Sequence, residues 1–149
     1  MASIIFRVPL ICSNCGSLND ERSNQLATAS IGLGTIHEFV SPGDVLDLEV
    51  GDFADGYFTL RQPSNDDTRV IALELWGCVV CARVQAARLR FERIDATHWR
   101  FVDAQVVSLS SAALDEAHFI SRRLEEWAPN RGDDADRVRA LVSHFGATS

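Results

Sequence analysis

Lysine is absent from this chain of 149 residues, and all 14 of its basic residues are arginines. A glycine-rich phosphate loop that ends in lysine is therefore excluded, and Gly32 and Gly34 have no third glycine to complete such a motif. No stretch approaches the roughly 18 consecutive apolar residues of a membrane-spanning helix. Acidic residues number 21, for a net charge of −7, which argues against broad binding to nucleic-acid phosphates.

A secretory signal is also not indicated at the start of the chain. Arg7 interrupts the apolar residues there, and Cys12 follows them directly where a small-residue cleavage site would be needed. With 46% hydrophobic and 23% charged residues, the length suits one domain around a single core. We therefore expect a cytoplasmic protein whose residues 1–149 form a single domain with reduced thiols.

The four cysteines form two C-x2-C pairs, Cys12 with Cys15 and Cys78 with Cys81. A two-residue gap lets one tight turn present both sulfurs to one ion, so the two pairs predict a tetrahedral zinc site. Four thiolates close the coordination sphere and leave no position for water, which indicates structural zinc. Disulfides and a thioredoxin-like redox pair are alternatives, but reduced thiols and the residues that follow each pair argue against them.

The residue after each pair affects the shape of the turn. Gly16 can adopt the left-handed conformation that such a knuckle often needs, whereas Ala82 stands at the equivalent place in the second pair.

The pattern resembles a zinc ribbon, in which two cysteine knuckles at hairpin tips clamp one ion. It is also similar to the double-CxxCG immunity proteins of myxobacteria, although Ala82 departs from their layout. The residues that match this layout are Cys12, Cys15, Gly16, Cys78 and Cys81. The second resemblance implies an inhibitor that masks a toxin.

Strand patterns occupy most of the chain between and after the pairs. Between Cys15 and Cys78 lie 62 residues, far more than the roughly 15 to 20 of a minimal ribbon, so a β-rich insertion is expected there. Alternation and turn signals predict strands at residues 45–50, 57–61, 70–76, 84–94 and 98–108. The last two form a predicted hairpin with its turn at residues 95–97.

Residues 110–149 show helical spacing instead. Ser110 or Ser111 can cap a first helix that ends at Pro129, and Asp134 begins a second helix that Gly146 closes. Their apolar stripes are Leu114, Ala117, Ile120, Leu124 and Trp127 in the first, and Val138, Leu141, Val142 and Phe145 in the second. The predicted fold class is α+β: a β-rich zinc-ribbon-like body over residues 1–109, with a long β insertion between the knuckles, followed by two C-terminal helices.

Charge is distributed unevenly along the chain. Residues 1–75 carry 11 acids and 4 arginines, whereas residues 76–149 carry 10 of each. The excess of acid predicts a negative surface for a basic protein partner, formed by Glu38, Asp44, Asp47, Glu49, Asp52 and Asp55. Arginines near the second pair could contact phosphate while Trp99 stacks on a base; they are Arg83, Arg88, Arg90, Arg93 and Arg100. A solvated sheet face with turns is the favoured explanation of the acidic pattern, and an exposed strand face explains the arginines equally well.

No catalytic group can be assembled from the sequence. The four histidines are scattered, and none belongs to a helical metal motif. We therefore predict a non-enzymatic protein that holds structural Zn²⁺ and binds a partner protein, as an inhibitor or immunity protein that neutralises a bacterial toxin with a basic surface. The alternatives are a zinc-ribbon accessory factor for nucleic acid or polymerase, and a thiol-based redox or metal sensor.

Overall fold

The computed structural model describes residues 4–20, 38–47, 53, 57–64, 66–82, 84–107 and 111–121, and strands make up more than half of them. In chain order the elements are β1 (Ile4–Phe6), β2 (Leu10–Ile11), β3 (Leu18–Asn19), β4 (Glu38–Val40), β5 (Val45–Asp47), β6 (Tyr57–Thr59), β7 (Arg69–Gly77), β8 (Val84–Asp95), β9 (His98–Val107), α1 (Ser111–Glu116) and β10 (Phe119–Ser121). Within these ranges no helix is long and apolar enough to cross a membrane.

Six strands form the main sheet, in the order β5-β9-β8-β7-β10-β6. Neighbours are antiparallel except for β10 and β7, which run parallel. The predicted hairpin of β8 and β9 is confirmed, with its turn at residues 96–97. Two small sheets complete the described part: β1 pairs with β4 in parallel, and β2 with β3 antiparallel.

Both faces of β7 are buried, which explains its nearly continuous apolar sequence. Val70 and Trp76 face one core cluster, and Leu73 and Leu75 face a second cluster that also contains Ile120. The first cluster is rich in aromatic rings. Its centre is Phe53, which meets four other rings at centroid distances between 5.1 and 6.3 Å. Such a core fixes how the strands stack and therefore where β7 and β8 end.

The predicted pair of C-terminal helices is wrong. The single helix of the described part ends at Glu116, and the chain then enters the main sheet as β10. Phe119 lies opposite Ala72 of β7 and Thr59 of β6, so β10 fills the space between two strands whose backbone groups would otherwise lack partners. The backbone hydrogen bonds to two neighbouring strands favour β10 over the helix that the spacing of the apolar residues beyond α1 predicts. The second predicted helix, from Asp134, lies outside the described residues.

His118 joins α1 to β10 and is buried. Its N–H donates to the Ile71 carbonyl at 2.8 Å, and its Nδ1 accepts from the Ile71 N–H at 3.1 Å. Burial, reinforced by the nearby Arg61 guanidinium, lowers the pKa of the imidazole, and Asp67 only partly opposes this shift. The ring is therefore held in its neutral form near pH 7, as an acceptor for β7.

This lowered pKa predicts a loss of stability in mild acid. Because the unfolded chain, with a histidine pKa of about 6.5, binds the proton more readily, the contribution of His118 is complete above that value. It is lost as pH falls through the lower pKa of the folded state. We expect the urea midpoint to fall more steeply between pH of about 7.5 and about 5.5 in the wild type than in His118→Asn, whose side-chain oxygen can still accept from Ile71.

His98 provides a control of opposite sign. Its hydrogen bond with Asp95 raises the pKa of this half-exposed imidazole, so its contribution is present at low pH and is lost as pH rises. His98→Asn should therefore lose stability chiefly at the acid end. Equal pH slopes for the wild type and His118→Asn would contradict the assignment of His118.

Candidate metal centre

Two β-hairpins carry the four cysteines at their tips. The first runs from β2 through Cys12 and Cys15 to β3, and the second runs from β7 through Cys78 and Cys81 to β8. In each, the residue after the second cysteine donates its N–H to the carbonyl of the first, at 3.0 Å in one knuckle and 2.9 Å in the other. The two knuckles therefore have the same backbone hydrogen bond.

The four sulfur atoms converge on one point. All lie within 4.8 Å of one another, with Cys12 Sγ 3.6 Å from Cys81 Sγ and Cys15 Sγ 3.7 Å from Cys78 Sγ. A tetrahedron of metal–sulfur bonds of about 2.3 Å has edges of about 3.8 Å, close to these distances. A disulfide would require about 2.05 Å, and all four are free thiols. The predicted cysteine set is thus brought together, and it could bind a metal ion.

Hydrogen bonds favour the thiolate form, which is the form that binds metal. The backbone N–H of Cys81 and the side-chain amide of Asn19 lower the pKa of the Cys78 thiol to about 6. Burial acts in the opposite direction on Cys12, yet the backbone N–H groups of Cys15 and Asn14 bring the pKa of its thiol below the ordinary value. These N–H groups lie 3.4 and 3.3 Å from Cys12 Sγ.

Two buried carboxamides beside the sulfurs were not found from the sequence. Gln85 Nε2 donates to Cys12 Sγ at 3.1 Å, and Asn19 Nδ2 donates to Cys78 Sγ at 3.5 Å. A signal was nevertheless present, because each pair is followed by an amide residue four positions after its second cysteine. The repeated unit is C-x2-C-x3-N in the first knuckle and C-x2-C-x3-Q in the second.

No protein-family model, curated protein or solved structure matches this chain. The geometry of these residues is therefore what supports the metal centre.

Ala82 adopts the conformation that is expected of glycine. Its φ is 62°, and Gly16 at the equivalent place has φ of 75°. A residue with a Cβ is strained by roughly 1–2 kcal/mol in this region. The second knuckle thus reaches the geometry of the first in spite of its sequence, at a cost in backbone strain.

Exchanging the two residue types should move stability in opposite directions. We expect Ala82→Gly to raise the free energy of unfolding of the metal-loaded protein by about 1 kcal/mol because it relieves the strained φ. Gly16→Ala should lower it by a similar amount, since a Cβ at this position meets no atom within 4 Å and only the backbone is strained. Urea unfolding of both variants measures the two changes in the free energy of unfolding. A loss of stability in Ala82→Gly would contradict this account.

The predicted acidic surface is only partly described. Asp44 and Asp47 are exposed, and Glu38 lies in β4. Glu49, Asp52 and Asp55 lie outside the described residues. Because Asp47 pairs with His98 at the start of β9, this acidic turn is at the opposite end of the β8–β9 hairpin from the cysteines.

Three of the arginines that were expected around the second knuckle have acidic partners. Arg88 bonds Glu116, Arg90 bonds Asp103 through two contacts, and Arg100 lies 3.8 Å from Glu92. Arg93 lies over the ring of Trp99, which is fully buried in the aromatic core. Trp99 therefore cannot stack on a base. The charges of Arg88, Arg90 and Arg100 are matched by carboxylates of α1 and of the main sheet. Arg83 lies outside the described residues.

Proposed function

We propose that this is a non-enzymatic protein in which Cys12, Cys15, Cys78 and Cys81 hold one structural Zn²⁺ ion. The observation that carries the proposal is the tetrahedral spacing of four thiols. A set of four sulfurs suits zinc or iron, and two hairpin knuckles of this kind are typical of zinc. Because four thiolates leave no open position, the ion would stabilise the fold and would not activate water.

Mass spectrometry of protein purified without chelator tests the metal directly. One zinc per chain under native conditions, lost on denaturation, is the expected result. One iron per chain would preserve the four-sulfur site and overturn its identity as zinc. A metal-free chain that lacks two hydrogens for each disulfide formed would overturn the site altogether.

We further propose that the protein binds a partner protein as an inhibitor or immunity protein. Support comes from apolar side chains in and beside the two knuckles that are each more than half exposed; they are Ile11, Leu18, Val79 and Val80. Exposed apolar patches mark sites of protein recognition, and Ile11 lies directly opposite Leu18 in the β2–β3 pair. The net charge of −7 favours a partner with a basic surface.

Co-expression with the protein encoded by the adjacent gene tests this role. If that protein is a toxin, growth should be restored by this chain, and the two should co-purify. Val80→Asp and Asp47→Asn then separate the two surfaces, because the first alters the knuckles and the second the acidic turn. Failure to restore growth and to form a complex would overturn the immunity proposal and leave the zinc site unaffected.

The exposure of Cys15 favours a second candidate function. Cys15 is exposed, whereas Cys12 and Cys78 are buried. A thiol-based sensor would release its metal when mild peroxide oxidises this sulfur, and thiol reductant with added zinc would restore it. Retention of the metal under these conditions would exclude the sensor and leave the binding role.

A further inference from the structure

The two carboxamides beside the cysteines, Asn19 and Gln85, occupy equivalent positions in the two hairpins. Asn19 is the second residue of β3 and lies opposite Leu10, two positions before Cys12. Gln85 is the second residue of β8 and lies opposite Trp76, two positions before Cys78. Each hairpin therefore places one amide side chain at an equivalent position beside its own cysteine pair.

Each amide contacts the opposite knuckle. Gln85 Oε1 accepts from the backbone N–H and the hydroxyl of Ser13, both at 2.8 Å, while its Nε2 donates to Cys12 Sγ at 3.1 Å. Asn19 Oδ1 accepts from the Val79 N–H at 2.7 Å, while its Nδ2 donates to Cys78 Sγ at 3.5 Å. In both cases the amide makes hydrogen bonds to the first cysteine of the opposite knuckle and to the residue that follows that cysteine.

Both amides are enclosed by the protein. Asn19 is 0% exposed and Gln85 is 8% exposed. A buried polar side chain is stable where its hydrogen bonds are satisfied. Most of the groups that satisfy these two amides belong to the other hairpin, while Asn19 Nδ2 also donates to the Ser17 carbonyl of its own hairpin at 3.2 Å. The two knuckles are thus joined by side-chain hydrogen bonds in addition to the shared sulfur cluster.

We propose that Asn19 and Gln85 are the positioning residues of the metal centre and form a reciprocal carboxamide clamp. The clamp closes the two knuckles on one ion and donates hydrogen bonds to the two buried sulfurs. This inference rests on the proposed metal site.

Charge explains why these two sulfurs receive the donors. Four thiolates around a divalent ion carry two negative charges in excess, and burying such charge is costly unless N–H groups face it. Water can reach the exposed Cys15, whereas Cys12 and Cys78 are buried. The clamp therefore supplies donors to the sulfurs that solvent does not reach.

Substitutions that change the amide and retain its shape test the clamp. Gln85→Glu and Asn19→Asp keep the accepting oxygen and replace the donating N–H₂, while Gln85→Leu removes donor and acceptor without adding charge. Gln105→Glu adds the same charge on the exposed side of β9 and is the matched control. Competition with a chromophoric chelator gives the zinc affinity. We expect a loss of about 10- to 100-fold in the clamp variants and an unchanged affinity in the control.

Cobalt(II) substitution reports on the sulfurs themselves. Loss of an N–H···S hydrogen bond raises the electron density on sulfur, so the thiolate-to-cobalt charge-transfer band of Gln85→Leu should move to lower energy. A residue that only supports the fold would leave this band in place. If the stronger variants do not fold, Ser13→Ala removes one bond to Gln85 and should weaken zinc binding about two- to tenfold.

The outcomes separate the clamp from the metal site. A wild type that binds no metal would overturn the site itself. A wild type that binds one ion, with clamp variants that match Gln105→Glu in affinity and in band position, would overturn the clamp alone. Weaker binding with an unmoved cobalt band would overturn the donation to sulfur and show that these amides serve only the fold.

Discussion

Cys78→Ser is expected to leave the chain unfolded or aggregated. Cys78 is 3% exposed and belongs to the main core cluster, so its sulfur is both a predicted metal ligand and a core group. Structural zinc sites supply about 10–16 kcal/mol of apparent binding free energy, while whole domains are stable by only about 5–15 kcal/mol. Loss of the ion alone can therefore exceed the total stability of the fold.

The first knuckle is the part that depends most on the ion. Its strands β2 and β3 contain two residues each, and a two-stranded hairpin of this size is not stable by itself. Leu10 and Cys12 nevertheless contribute to the main core cluster. Without the shared sulfur site this hairpin would detach, and the core beside β7 and β8 would be opened to water.

Two comparisons check this expectation. Val80→Ser introduces the same side chain at an exposed position of the same knuckle and should leave the melting temperature unchanged. Treatment of the wild type with a strong chelator should reproduce the effect of Cys78→Ser, and added zinc should reverse it. A soluble Cys78→Ser protein with the melting temperature of the wild type would count decisively against a structural metal.

The sequence predicted the centre well because its signals are local. A C-x2-C spacing determines which sulfurs one turn can present, and alternation with a turn at residues 95–97 determines the β8–β9 hairpin. The clamp required knowledge of which hairpins face each other. An amide four residues after Cys15 or Cys81 can be recognised as a hydrogen-bond donor to sulfur only when the position of the opposite knuckle is known.

Strand β10 shows the opposite case, in which local pattern and tertiary structure disagree. Leu114, Ala117 and Ile120 have helical spacing, and they do face one core cluster. The helix ends at Glu116 because the open edges of β6 and β7 bind the next residues from both sides. Periodicity within one segment contains no information about such edges, so it predicts one continuous helix over residues 110–128.

Phe119→Ala is expected to lower the free energy of unfolding by about 3–5 kcal/mol, the usual cost of removing a buried phenylalanine side chain. Phe119 is 1% exposed, and its ring stacks on Phe53 with centroids 5.1 Å apart and planes inclined by 11°. Leu114→Ala, on the half-buried side of α1, should cost less because less apolar surface is uncovered. Urea unfolding of the two variants gives the ranking.

This ranking distinguishes β10 from a continued helix. In a helix through residues 110–128, Leu114 would lie on the apolar stripe and Phe119 beside it, so Leu114→Ala would be the more damaging change. In the observed sheet the order is reversed, because Phe119 and Ile120 face opposite sides and both sides are buried. A larger effect at Leu114 than at Phe119 would therefore contradict β10, and with it the place of β6 at the edge of the main sheet.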